Sequence, residues 1–348
     1  MELISEEIPA KMQVPAMRQL EVLTLKKVNE NGLIFGGMVP FVTPMRLGII
    51  LENISIEMKE SIKEIRGPRL GAPTNAIDGF LKKNKIERSE LQEKKTTKGS
   101  FYFYTLKINT QPLSTILSRI FTEIIQEFNW PKSMYWGDNY SLRWVRPLRS
   151  ITAVLFENEK RERVPLHVRD IESDIVTKAH HVMHPEFFDF KSINDYQEKI
   201  ANGKVILQPQ ERKKIIVQEG KRLAEANGFY LVEDNKLLEE IVGLTEFPIP
   251  LLGKIPEELL SIPEEVIVTS MREHQKFLSL RSSTSGKVEG FLLITDLETH
   301  DQQKTILSGN MRVLNSRLKD AIFFYQNDLD LVKNHGMKAW NDKLKSVR

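Results

Sequence analysis

Two stretches of the chain carry side chains able to do chemistry. VTSMREHQKFLSL, residues 268–280, sets Glu273, His274, Gln275 and Lys276 between apolar flanks, and AHHVMHP, residues 179–185, holds His180, His181 and His184. A carboxylate can orient an imidazole for proton transfer, so Glu273 and His274 suggest an acid–base pair. Adjacent side chains diverge on helices and strands alike, however, so that pair needs a tertiary bend to act together. Catalysis, contact with RNA, and a histidine held only by structural hydrogen bonds all stay open for His274. The three neighbouring histidines could start a metal site, but the local sequence offers no further ligands. A strand or turn that simply exposes them is the expectation.

The chain has no cysteine, which excludes disulfides, thiolate catalysis and cysteine-ligated zinc. No glycine-rich phosphate loop, dinucleotide fingerprint, serine elbow or acidic metal loop is present, so no motif for nucleotide chemistry is available. A length of 348 residues with 41% apolar and 28% charged residues suits a soluble globular protein of about two domains. No run approaches the roughly 20 apolar residues of a membrane span. The start, MELISEEIPAK, lacks a basic region followed by an apolar one, so the cytoplasm is the expected home. Net charge is only +3 but unevenly placed: residues 63–98 hold ten Lys or Arg against five acids, and residues 303–348 hold nine against four. Such local basic fields suit a phosphate-rich partner, although lysine-rich faces are often merely solvated.

The elements that must position these residues follow from periodicity. Residues 34–55 alternate apolar runs with Pro and Gly and read as strands joined by tight turns. A basic excursion follows at 63–99, with a short helix after Thr74. FYFYTLKI at 101–108 predicts a strand. Apolar residues at 113, 116, 117, 120, 121, 124, 125 and 128 predict a helix introduced by Pro112. A strand-rich stretch covers 144–183. Helices are expected at about 210–227, at 235–244 after Asp234, and after Pro263. The segment 271–280 should then leave that last helix and enter a strand, with His274 at the junction. Two strands separated by a Ser-Gly turn come next, and a final helix spans about 310–326. The mixed order predicts an α+β fold with antiparallel pairing, divided into a domain at 1–165 and a second at 166–348.

An ordered series of runs resembles the β subunit of the bacterial two-subunit glycyl-tRNA synthetase. It comprises SEEIPAKMQ at 5–13, TPMRL at 43–47, IRGPRLGAP at 65–73, FLKKNKI at 80–86, MYWGD at 134–138, VRPLRSI at 145–151, LTEFPIPLLG at 244–253, HQKFLSL at 274–280, LLITDLE at 292–298 and GNMRVLNSRLKDAIFFYQND at 309–328. These runs cover nearly the whole chain. It departs from the family at Met45 (TPRRL in the family), at Ala179, His180 and His181 (Gly-His-Arg), at Asp296 (Asn) and at Met311 (GNE). The family also continues into a helical HD-like domain and an anticodon-binding domain, so the chain corresponds to its N-terminal half.

The resemblance implies that glycine is activated with ATP and magnesium on the α subunit, while the β subunit contacts tRNA(Gly) and supports aminoacylation in an assembly of two α and two β chains. No cofactor is then expected in this chain. Cations and polar or aromatic side chains of the matching runs become candidates for contact with tRNA or the α subunit: Arg46, Arg66, Lys82, Lys83, Lys85, Trp136 and Arg146, then His274, Gln275 and Lys276, then Arg312 and Arg317. The aromatic run Phe101–Tyr104 beside basic segments suits RNA contact by charge and stacking. The alternatives are a remnant that folds without independent activity and a hydrolase built on the histidines.

Overall fold

The strand Glu2–Ser5 lies inside a six-stranded sheet, antiparallel to Arg46–Glu52 on one side and to Leu148–Thr152 on the other. The molecule is seen in a computed structural model that describes residues 1–56, 62–84, 86–96, 99–107, 111–136, 142–157 and 160–346. Gly37–Val42 forms one edge of the sheet, and Ile171–Asp174 and His167–Val168 complete the other. Only the pairing of Leu148–Thr152 with Ile171–Asp174 is parallel within this sheet. Strands on both sides of residue 165 therefore share one sheet.

Alternation along the strands gives this sheet two buried faces. Val42, Leu47 and Ile49 face a core completed by helices α1 (Ala10–Glu30) and α3 (Leu113–Glu127), with α2 (Thr74–Asn84) between them in the chain. Phe41 and Ile50 face the opposite way, against Tyr196 and Ile200 of α4 (Ile193–Asn202). Helix α3 matches its expected span, because Ile116, Leu117, Ile120, Phe121, Ile124 and Ile125 form one buried stripe and Pro112 stands at its N-cap. Helix α1 was not foreseen. Its buried residues include Gln13, Thr24 and Lys27, and Pro15 lies inside it, so no clean apolar stripe marks it. The Lys27 ammonium reaches Glu123 at 2.8 Å and Glu127 at 2.5 Å on α3, which makes a buried lysine tolerable there.

The basic excursion builds its own antiparallel sheet, with Gly99–Lys107 between Ile62–Arg69 and Leu91–Thr96 and α2 against the first of these. The FYFY run lies in the central strand, as the aromatic composition predicts.

A second antiparallel sheet runs in the order Phe229–Leu231, Leu278–Ser282, Val288–Thr295, Ile249–Lys254. Helices α5 (Pro209–Ala226) and α6 (Asn235–Val242) pack on one face with Leu278, Leu280 and Leu292. On the other face, α7 (Glu264–Thr269) and the start of α8 (Lys304–Ser346) pack against Phe277, Phe291 and Leu293. Gly253 lies opposite Phe291 in register, and a Cβ there would come within 2.2 Å of the ring. The ring occupies the space that a side chain would need.

Helix α8 extends well beyond the expected 310–326. Asp301 supports its start by accepting from the Thr305 N–H at 2.8 Å and the Thr305 hydroxyl at 2.5 Å. The helix breaks at Gly336, where φ is 75° and ψ 170°. Lys343 reaches Asp328 at 2.7 Å across 15 residues, whereas a straight helix would separate them by roughly 22 Å. The chain thus folds back at Gly336. Sheets with packed helices in this order make the α+β architecture expected from the sequence.

Candidate functional site

Residues 268–280 form a junction between helix and strand. After α7 the backbone widens into a turn of i→i+5 type over Ser270–Gln275, and Lys276 then takes the left-handed conformation, φ 57° and ψ 39°. The Phe277 N–H donates to the Met271 carbonyl at 3.1 Å, and the strand Leu278–Ser282 begins. Widened turns of this kind are rare and recur at functional positions. His274 is exposed and has no hydrogen-bond partner among the described residues. Glu273 instead accepts from Arg272 at 2.5 Å, so the carboxylate is committed to a guanidinium and no acid–base pair forms. Arg272 also donates to Asp234 at 2.6 Å, and this interaction, despite the opposing effect of burial, holds the Asp234 carboxyl below its usual range. Lys276 pairs with Glu240 of α6 at 3.1 Å.

Arg272, Glu273 and Lys276 form one wall of a cleft of about 630 Å³ whose other walls are α1, the start of α5 and α6. Lys11, Arg18, Lys213 and Lys236 line it as well, so six cations face three carboxylates: Glu239, Glu240 and Glu273. Lys11, Arg18 and Lys236 are exposed and have no ion-pair partner among the described residues. Lys11, Arg18, Lys213 and Lys236 are not among the candidates that the sequence offers. They lie on three helices spread over more than 220 positions, and no local motif joins them.

Arg46, a candidate for surface contact, is corrected by the fold: it is 1% exposed. Its Nη1 donates to Glu2 at 3.0 Å and its Nε to Glu246 at 3.0 Å, while the Lys178 and Ala179 carbonyls accept the remaining bonds. Burial depresses its pKa, but the two carboxylates outweigh that and hold the guanidinium charged. Tyr196 donates to Glu2 at 2.7 Å and Thr43 to Glu246 at 2.5 Å, while Thr177 also bonds Glu2. No face of this arginine is left for a partner.

The exposed histidine cluster expected at 179–185 is also corrected in part. His181 and His184 are exposed, but His180 is fully buried. Its Nδ1 accepts from the Val182 and Met183 N–H groups at 3.3 and 3.2 Å, which places the ring proton on Nε2 toward Asp296 at 3.1 Å. Asp296 in turn accepts from the Glu246 and Phe247 N–H groups at 2.8 and 2.6 Å. Among the described residues no three His, Asp or Glu side chains are grouped to hold a metal ion.

The remaining candidates lie on separate elements. Arg66 is exposed, its guanidinium 3.5 Å from the centre of the Phe101 ring. Lys82 and Lys83 project from the last turn of α2, and Lys85 lies outside the described residues. Trp136 ends the strand Met134–Trp136, its backbone paired with Leu142. Arg146 is half-buried and bonds the Val145 carbonyl. Gln275 is half-buried beside His274. Arg312 and Arg317 are exposed on α8. The structure joins only Lys276 of these to the cleft. No helix is long and apolar enough to cross a membrane among the described residues.

Comparison with known proteins matches residues 1–348 to the family model described as glycyl-tRNA synthetase beta subunit. The glycine–tRNA ligase beta subunit of Paracoccus denitrificans is 40% identical over 346 residues, 99% of this chain and 50% of that protein. The beta subunit of a Ruegeria species is 40% identical over 347 residues, again 99% and 50% of the two chains, and that of Rickettsia peacockii is 34% identical over 330 residues, 94% and 48%. The chain spans about half the length of the curated relatives it matches.

Proposed function

Because the chain belongs to the glycyl-tRNA synthetase beta subunit family, we propose that it acts in the ATP-dependent attachment of glycine to tRNA(Gly), in the cytoplasm, as the part of a ligase that holds tRNA and the α subunit. Activation of glycine then takes place on the α subunit, in an assembly of two α and two β chains. The observation that carries this reading is the family match along all 348 residues. Two features are in keeping with it. Exposed Arg66 stands over Phe101 of the half-exposed aromatic strand, and Lys82 and Lys83 are exposed on α2, which packs on the same small sheet, a combination suited to RNA backbone and bases. His274, Gln275 and Arg312 lie on accessible supports where contact residues are often found.

The test is to add the purified chain to the cognate α subunit and measure glycylation of tRNA, with tRNA affinity followed across a salt series. Glycylation should depend on both chains. Replacing Lys82, Lys83 and Lys85 by Ala should weaken tRNA binding and flatten the salt slope by about 2, since each lost phosphate contact removes roughly 0.7–0.9 from it. Failure of the chain to bind either tRNA or the α subunit would refute the reading.

A further inference from the structure

We infer that the cleft between α1, α5, α6 and the turn Ser270–Gln275 is a binding site for the sugar–phosphate backbone of a single-stranded stretch of RNA. The inference rests on the family reading above and adds a location and a mode of recognition to it. Six cations converge on one concavity of about 630 Å³ against three carboxylates, so the wall carries a net positive field at close range. Lys213, Lys276 and Arg272 pair with Glu239, Glu240 and Glu273, so the excess positive charge is carried by the other three cations; a concave surface with such an excess raises the local concentration of anions. Three of its cations, Lys11, Arg18 and Lys236, are exposed and spend none of their charge on a neighbouring carboxylate among the described residues.

The backbone of the cleft favours anions too. Ala10 and Lys11 open α1, and Pro209 and Gln210 open α5. Neither helix has a capping side chain, and α1 has no acid in its first turn. The N–H groups that begin a helix lack partners within it and point along a positive dipole end, which is where phosphates bind. The start of α1 offers such groups to the cleft; at α5, Pro209 has no N–H and Glu211 sets an opposing charge in the first turn.

The lining also says how RNA would be read. Its apolar residues are aliphatic, Val14, Leu237 and Val242 together with Pro15, and no aromatic ring is among them. Bases therefore find no stacking platform, and recognition falls on phosphate and ribose rather than on sequence. An RNA duplex is rigid and convex and is contacted by elements that protrude into its wide, shallow minor groove; a concavity of about 630 Å³ suits a flexible single strand instead. Lys276, left-handed at the end of the widened turn, lines the cleft with its ammonium 3.1 Å from Glu240 of α6.

The experiment uses fluorescein-labelled 12-residue oligouridylate and a mixed-sequence RNA of equal length, titrated with the whole chain across a salt series. Lys11, Lys213 and Lys236 are replaced together by Ala, and separately Glu239→Gln and Glu273→Gln are combined. Both RNAs should bind alike to the unaltered chain. The triple variant should lose affinity on the order of 100-fold at about 0.1 M salt and flatten the salt slope by about 2 for a single strand, with the melting temperature unchanged. The double Gln variant should bind more tightly, a gain that loss of folding cannot produce. If the triple variant keeps affinity and slope while the Lys82, Lys83 and Lys85 variant loses tRNA, the cleft assignment falls and the proposed function stands. Loss of α-subunit binding at unchanged RNA affinity would make the cleft a protein-docking surface and overturn the inference. If the unaltered chain binds neither RNA nor the α subunit, both readings fall.

Discussion

Arg46 illustrates how one residue type can serve two unrelated ends. In sequence it is a cation within a family motif; in the fold it is a buried tie between Glu2 at the first strand and Glu246 two hundred positions later. Removing it leaves two carboxylates in a dry core, so Arg46→Met should cost about 3–5 kcal/mol, read from the shift in urea midpoint. The same network predicts an acid response. Burial raises the Glu246 carboxyl, but Arg46 outweighs that and the net pKa lies below the usual glutamate range. A lowered folded-state pKa means stability that is present above the unfolded value and is lost as pH falls through the folded one. Melting temperatures taken from neutral pH down to about 3 should therefore fall more steeply for the unaltered chain than for Glu246→Gln. Parallel profiles would show that Glu246 contributes nothing to acid unfolding.

Among the elements, α8 depends most on a single backbone angle. Gly336 has φ 75° and ψ 170°, a region essentially reserved for glycine that costs an L-residue on the order of 1–3 kcal/mol, and the return of the chain lets Lys343 meet Asp328. Gly336→Ala should favour continuation of the helix over the fold-back. Spin labels placed at Asp320 and Lys345 should then move apart toward the roughly 37 Å of a straight helix. An unchanged distance distribution would mean that packing, not the glycine, sets the bend. The widened turn after α7 stands in contrast, since Lys276 adopts the left-handed conformation without being glycine. Such a residue persists only where its surroundings hold it, and the pairing of Lys276 with Glu240 supplies one such restraint.

For the molecule as a whole, the two sheets are joined through buried polar contacts rather than through one continuous apolar core. His180 belongs to the segment after the first sheet, Asp296 to the end of a strand in the second, and Glu246 links to both Asp296 and Arg46. Asp296→Ala would strand the His180 Nε2–H and two backbone N–H groups, each left without an acceptor in a low-dielectric site. Amide exchange at residues 180–183 and 246–247 should rise in that variant, while the strand Val288–Thr295 keeps its protection. Equal acceleration along that strand would show that Asp296 supports the second sheet itself rather than the joint.

Residues 113–128 declared their helix in the sequence because an apolar stripe with a helical period and a proline at its start are local signals, and α3 follows them to within a residue. The FYFY strand, the helix after Asp234 and the helix-to-strand junction at His274 were legible for the same reason. The family was legible too, since ordered motifs survive in one dimension. What only the tertiary structure decided is which charges are buried and which meet. Arg46 and Lys82 carry the same sign in sequence, yet one is sealed against two carboxylates and the other is exposed on α2. Lys11, Lys213 and Lys236 come to line one cleft only when α1, α5 and α6 pack together. Burial and cleft formation depend on contacts between residues far apart in the chain, and no local period or spacing encodes them.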